Sequence, residues 1–222
     1  MTQITLTING TPLQINIPNG VVADPKLLDG GHPLYYVVKN RKQTETYVSR
    51  VCELLADLPK GLQVLEYCAG IGLIAAANWD HLAPSKWVGV ELDESCKPLL
   101  LESRMDFRIG DMYECDIPDG TELVICEFSN NTLPKMWREP KRASLLRRIA
   151  DFKPKYWYIA DVGYYWIHLT NHWPIYWKQF GVQVSRKNYH ELFDRFMREN
   201  YGYKVAKWTV GGGAQYFLLT SE

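Results

Sequence analysis

From Ile4 to Ile17 apolar residues alternate with Thr, Asn or Gln on either side of Asn9-Gly10. Alternation at period two marks a half-buried strand, and Asn-Gly accepts φ > 0 at both centres of a tight turn, so this segment predicts a β-hairpin. Pro18 to Pro33 is rich in Pro, Gly and Asp and predicts a loop. From Thr44 to Leu58 the spacing becomes helical, with Tyr47, Val48, Val51, Leu54, Leu55 and Leu58 repeating before Pro59. Beyond Pro59 short apolar runs alternate with helical segments. Strands are expected at 63–67, 87–91, 106–109, 123–127 and 156–160, and helices at 71–78, 94–102 and 143–152. A further helix at about 189–200 precedes strands at 204–210 and 215–220, which flank Gly211-Gly212-Gly213. Strands and helices in alternation predict an α/β fold, a mostly parallel sheet with helices on both faces. Counting the terminal pair as an antiparallel hairpin gives seven strands in that sheet. The chain divides into a hairpin and loop extension, 1–43, and an α/β domain, 44–222.

The candidate chemistry sits where these strands end. Val64-Leu65-Glu66 runs into Tyr67-Cys68-Ala69-Gly70-Ile71-Gly72: an apolar strand, a carboxylate near its tip, then two glycines one residue apart before a helix. Glycine lets the backbone approach a ligand and take φ > 0 without steric cost. The turn therefore predicts a crevice for a ligand with a ribose or an amino acid group. Trp87-Val88-Gly89-Val90 ends in Glu91. An acid roughly 20 residues beyond such a turn is where nucleotide-binding α/β units grip a ribose diol. Phe107-Arg108-Ile109-Gly110 leads into Asp111, and Leu123-Val124-Ile125-Cys126 into Glu127. Packing alone does not explain strand after strand ending in an acid.

These segments resemble the motifs of the class I S-adenosylmethionine-dependent methyltransferases. Val64 to Gly72 looks like their first motif, Val88 to Asp93 the second, Gly110-Asp111-Met112 the third, and Leu123 to Asn131 stands in place of the fourth. The likeness runs from about residue 44 to the C-terminus, and the terminal antiparallel hairpin is part of it. It implies S-adenosyl-L-methionine as cofactor, held by Glu66, Cys68, Ala69, Gly70, Gly72, Glu91, Leu92, Asp111 and Met112. By the same resemblance Glu66 helps hold the methionine amino group. Glu91 takes the ribose hydroxyls, with Asp93 as its rival, while Asp111 takes the adenine amine and Met112 packs on the ring. Glu127 stands where a methyl acceptor would sit, suited to take its proton, with Asn130 and Asn131 positioning it. Arginine methyltransferases also carry a glutamate there, but this chain lacks the length for their barrel. Two departures matter. Cys68 replaces the family's frequent first glycine, a Cys-Ala-Gly variant that the resemblance links to nucleic-acid methyltransferases. Glu127-Phe128-Ser129-Asn130 replaces the Asp/Asn-Pro-Pro-aromatic motif of enzymes that methylate exocyclic amines.

Composition then bears on the acceptor. The formal net charge of the 222 residues is zero, which does not suggest nucleic acid. A small molecule or a protein residue as acceptor suits that charge. RNA or DNA suits two local features. The first is the basic run Lys135, Arg138, Lys141, Arg142, Arg147, Arg148, Lys153 and Lys155, whose apolar side (Leu145, Leu146, Ile149) equally describes a solvated amphipathic helix. The second is the aromatic insertion 161–187, with Tyr164, Tyr165, Trp166, Trp173, Tyr176 and Trp177, fit to stack on bases or to form a small core of its own. A regulatory protein that binds the nucleoside without turnover is a third reading. The five cysteines include no Cys-x-x-Cys pair, which argues against a disulfide framework or a zinc site. His168 and His172 lack a clear third ligand, so no metal is expected. No apolar run reaches the roughly 18 residues of a membrane span, and a cytoplasmic protein is expected. Nothing in the sequence selects an oligomeric state.

Overall fold

The computed structural model describes residues 2–21, 28, 32–126, 140–161, 180–182, 188–211 and 214–221. Strands β1 (Thr2–Ile8) and β2 (Thr11–Ile17) pair antiparallel about Asn9-Gly10, whose φ angles of 48° and 81° are what that turn requires. Leu6, Ile8, Ile15 and Ile17 point inward and share a core with Val48, Val51, Leu54 and Leu55 of helix α2 (Arg41–Leu55). The hairpin is also fixed through its backbone, because the Thr7 amide donates to Glu45 Oε1 and the Asn9 amide to Ser49 Oγ. Both acceptors lie on α2, so these two amides are taken by the chain itself and cannot recruit another strand.

The main sheet runs β5 (Asp106–Ile109), β4 (Lys86–Glu91), β3 (Gln63–Tyr67), β6 (Leu123–Cys126), β7 (Tyr156–Asp161), β9 (Ala214–Ser221), β8 (Tyr203–Gly211). The first five are mutually parallel, while β9 runs antiparallel to both β7 and β8. The seven-stranded sheet, terminal antiparallel hairpin and small N-terminal hairpin are those expected from the sequence. Burial on both faces explains the continuous apolar runs of the central strands. Leu123 and Ile125 of β6 enter the core that holds the N-terminal hairpin, α2 and α3 (Leu73–Leu82). Val124 and Cys126 enter the opposite core, with Leu145, Leu146 and Ile149 of α4 (Pro140–Phe152) and Phe193, Phe196 and Met197 of α5 (Tyr189–Tyr201).

Several boundaries differ from expectation, each for a local reason. A short helix α1 (Tyr35–Lys39) follows the loop and was not anticipated. Helix α2 spans 41–55 rather than 44–58: nothing before Thr44 breaks it, and the residue ahead of Pro59 disfavours helical φ/ψ. Helix α3 starts at Leu73 rather than residue 71 because Gly72 is left-handed (φ 75°), and it runs on to the left-handed Ala83. The helix expected over 94–102 is a 3₁₀ segment, Glu94–Leu99, that contains Pro98, which has no amide to extend a helical ladder. Helix α4 begins at Pro140, where a missing amide is harmless. Strand β6 is described to Cys126, so its expected end at Glu127 lies outside the described residues.

The order of strands reverses at β3, which is flanked by β4 on one side and β6 on the other. Open α/β sheets bind ligands at the carboxyl ends of strands beside such a switch point. The hairpin's attachment is testable. Leu6→Ala should destabilise the fold by about 2–5 kcal/mol, as deletion of a fully buried leucine does. Urea titration reads this directly, and a loss below about 1 kcal/mol would show the hairpin to be loosely held.

Candidate active site

The turn after β3 is built from left-handed backbone. Cys68, Gly70 and Gly72 have φ of 58°, 53° and 75°. At Cys68 a side chain is carried in the conformation that glycine adopts most readily. The turn is closed by the Gly72 amide on the Ala69 carbonyl at 2.8 Å and tied to β4 by the Ala69 amide on the Val90 carbonyl at 3.1 Å. The two glycines differ. A Cβ at Gly72 would stand 3.1 Å from Leu100 Cδ1 and 3.2 Å from Met105 Cε, a packing demand, whereas one at Gly70 would meet nothing within 4 Å. Gly70 therefore faces open space.

Glu91, the last residue of β4, reaches across to this turn. Its Oε2 accepts the Gly70 amide at 2.8 Å, and its Oε1 accepts the amides of Leu92 at 2.8 Å and Asp93 at 3.1 Å. The carboxylate is held by backbone donors from both loops, yet a carboxylate has about four acceptor sites and can take further donors. Asp93 is used otherwise: its Oδ1 accepts the Ser95 amide at 2.9 Å and hydroxyl at 2.7 Å, capping the 3₁₀ segment. Between them Leu92 is 71% exposed, an apolar side chain presented to solvent beside a polar turn. A cleft of about 520 Å³ at this end of the sheet lies between His32 and Pro33 of the extension and Ser95, Pro98 and Leu99.

The loop after β5 completes the group. The Gly110 amide bonds the Glu91 carbonyl at 2.9 Å, joining this loop to β4. Asp111 Oδ1 accepts the Tyr113 amide at 2.9 Å, and the Asp111 carbonyl accepts the amides of Glu114 and Cys115. Met112 comes within 3.4 Å of Cys68, sulfur to sulfur, so the glycine turn and this loop are in contact. Glu66, Cys68, Ala69, Gly70, Gly72, Glu91, Leu92, Asp111 and Met112 thus lie on β3, at the end of β4 and on the loops at the carboxyl ends of β3, β4 and β5. Glu127, Asn130 and Asn131, most of the aromatic insertion, His168 and His172 lie outside the described residues. Among the described residues no cluster of His, Cys, Asp or Glu could hold a metal, and no helix is long and apolar enough to cross a membrane.

Glu66 sits deeper than its position near the strand end suggested. It is 1% exposed, its Oε2 accepts the Trp87 indole N–H at 2.9 Å, and its Oε1 has no partner among the described residues. Burial pushes its pKa up to about 8, with Trp87 lowering it and the negative Glu91 raising it. The Cys68 thiol is pushed up to about 12 by burial and then by Glu91, Glu66 and Asp111, so it is an inert lining residue and not a nucleophile.

Arg148, read from the sequence as one of a run of basic residues, belongs to this region. From α4 its Nη2 donates to the Met112 carbonyl at 2.6 Å and its Nη1 to the Tyr113 carbonyl at 3.1 Å, while the Tyr67 hydroxyl donates to the Cys115 carbonyl at 3.2 Å. Arg147 donates to the Asn200 carbonyl at 3.1 Å and lies over the Tyr201 ring. Bonds from a side chain to carbonyls distant in sequence leave no spacing pattern, and no sequence signal marked these roles.

No family model and no curated protein matches this sequence. Solved structures do match it. A magnesium protoporphyrin IX methyltransferase from Synechocystis, solved with S-adenosylhomocysteine, is 15% identical with a TM-score of 0.54, over 88% of this chain and 90% of that one. Mitomycin 7-O-methyltransferase is 18% identical with a TM-score of 0.55, over 92% of this chain and 62% of that one. A provisionally named RNA methyltransferase of Pyrococcus horikoshii is 14% identical with a TM-score of 0.53, over 79% and 81%. The chain has the fold of the class I S-adenosylmethionine-dependent methyltransferases.

The burial of Glu66 has a pH consequence. Between about pH 4.5 and 8 the folded chain keeps the Glu66 proton that the unfolded chain releases. Stability from this group is therefore full below 4.5, falls as pH rises through that window and levels off above 8. Denaturant titrations across pH should show a steeper fall for the wild type than for Glu66→Gln. Parallel profiles would show that Glu66 is ionised in the fold.

Proposed function

We propose that the chain is an S-adenosylmethionine-dependent methyltransferase acting on an N or O acceptor of a small molecule or a protein. The observation that carries this reading is the Gly70 amide bonded to Glu91 across a turn whose Gly70 faces open space. When bound, S-adenosylmethionine supplies a methyl group made electrophilic by its sulfonium. The residues present fit it. The open side of Gly70 admits the methionine portion, Glu91 can accept from both ribose hydroxyls, and Asp111 can accept from the adenine amine. Leu92 and Met112 offer apolar surface to the base. Glu66, with one oxygen free among the described residues, is the group for the methionine ammonium.

For the transfer, Asn130 holds the acceptor in line and Glu127 takes the proton that a neutral acceptor sheds as its lone pair bonds to the methyl carbon. These two roles rest on their sequence position after β6. A small-molecule or protein acceptor is favoured over nucleic acid because the Arg147 and Arg148 guanidiniums are engaged within the fold, which weakens the basic segment as a phosphate track. The similar solved structures include named small-molecule methyltransferases and a provisionally named RNA methyltransferase, so the fold is neutral on this point.

Calorimetry with S-adenosylmethionine, followed by a labelled-methyl transfer screen over cell extract fractions, tests the reading. Binding with no transfer to any fraction would favour a regulatory nucleoside-binding protein. Glu91→Ala should weaken cofactor binding by about 1–3 kcal/mol, roughly ten- to a hundredfold, by removing a charged acceptor. Unchanged affinity in the folded variant would remove Glu91 from the ribose site. Glu127→Gln should leave cofactor affinity near wild type while turnover falls by about 10²–10⁴, the effect of losing a general base. A loss seen only as a higher KM would instead mark Glu127 as a binder of a cationic acceptor.

A further inference from the structure

We infer that Arg148 is a positioning residue for base recognition, holding the 111–115 turn from behind so that Asp111 meets the exocyclic amine of adenine. This rests on the proposed cofactor reading and adds to it the group that sets its selectivity. The turn is organised in two directions. Amides of Tyr113, Glu114 and Cys115 fold back onto Asp111, its carboxylate and its carbonyl. Carbonyls of Met112, Tyr113 and Cys115 are taken from outside by Arg148 and Tyr67.

A guanidinium is a planar fork whose donors have fixed spacing, so its bonds to two successive carbonyls set the orientation of the peptide between them. That peptide joins Met112 to Tyr113, and the Tyr113 amide is the donor on Asp111 Oδ1. Arg148 thus reaches the Asp111 carboxylate through one peptide group. The fork is carried by a rigid element, because Leu145 and Ile149, on either side of Arg148 along α4, are buried in the core with Val124 and Trp157. Its Nε is buried without a partner among the described residues, and its two Nη donors reach the turn, with the Tyr67 side chain, itself bonded to the Cys115 carbonyl, as a further partner of the guanidinium. A lysine at 148 would keep the charge and lose the fork.

A carboxylate acceptor favours an amino group at the base and repels a carbonyl there, so it separates adenine from hypoxanthine. The test is calorimetry with S-adenosylhomocysteine and S-inosylhomocysteine on wild type, Arg148→Met and Arg148→Lys, with circular dichroism to establish folding. Wild type should prefer the adenosyl ligand. Both variants should bind it about tenfold more weakly, the loss of one charge-assisted hydrogen bond, while affinity for the inosyl ligand changes less and the preference shrinks. Should Arg148→Met fail to fold, Arg148→Lys and Tyr67→Phe carry the comparison. A folded variant that keeps the wild-type preference, or loses both ligands equally, overturns the inference. A wild type that binds both equally overturns it by removing Asp111 from the base. Wild-type protein that binds neither ligand overturns the cofactor reading itself.

Discussion

The hydrogen bond from the Gly70 amide to the Glu91 carboxylate joins the ends of two parallel strands, and the rest of the crevice is arranged around it. It requires Gly70 to turn its amide toward β4, which the left-handed backbone at 68, 70 and 72 brings about. It also requires Glu91 to stay at the strand end and not turn to solvent, which the Leu92 and Asp93 amides secure. The Glu91 carbonyl in turn takes the Gly110 amide and fixes the loop that carries Asp111. One residue therefore sets the relative positions of three loops.

Charge follows from that geometry. Burial raises the Cys68 thiol pKa first, and nearby carboxylates add to it; with Glu66 holding its proton below about pH 8, the negative potential of the crevice comes from Glu91 and Asp111. The orphan oxygen of buried Glu66 adds an unmet demand for a donor. A ligand bearing positive charge and several hydrogen-bond donors relieves both. On the proposed reading, the ammonium, the sulfonium, the ribose hydroxyls and the adenine amine supply them. The same surroundings keep the thiol of the left-handed Cys68 protonated and unreactive.

The architecture was legible where one local rule decided the outcome. Period-two alternation and Asn9-Gly10 defined the hairpin, and apolar runs ending in acids defined the strands and loops around Glu91 and Asp111. Legibility failed where tertiary contacts decide. Helical spacing over 94–102 was overridden by Pro98 and by the Asp93 cap. The depth of Glu66 was not legible, because nothing in the sequence shows that the Trp87 indole donates to it. Arg148 read as surface charge because its acceptors are carbonyls some 35 positions away.

That last misreading bears on the acceptor. A basic helix beside a crevice is evidence for phosphate tracking only if its cations are free to meet phosphate. On α4 the apolar face is buried as an amphipathic helix requires, and Arg147 and Arg148 cross to neighbouring elements. Arg147 lies over Tyr201 and bonds the end of α5, so removing it to bind a ligand would cost both contacts. Lys153 and Lys155 remain exposed, but Lys155 lies over the Tyr156 ring at the start of β7, the strand end remote from the carboxyl-end crevice. The charge in this part of the helix thus ties α4 to the end of α5 and to the loop after β5. On the proposed reading, selection of an acceptor then falls to groups that follow β6 and β7 in the sequence.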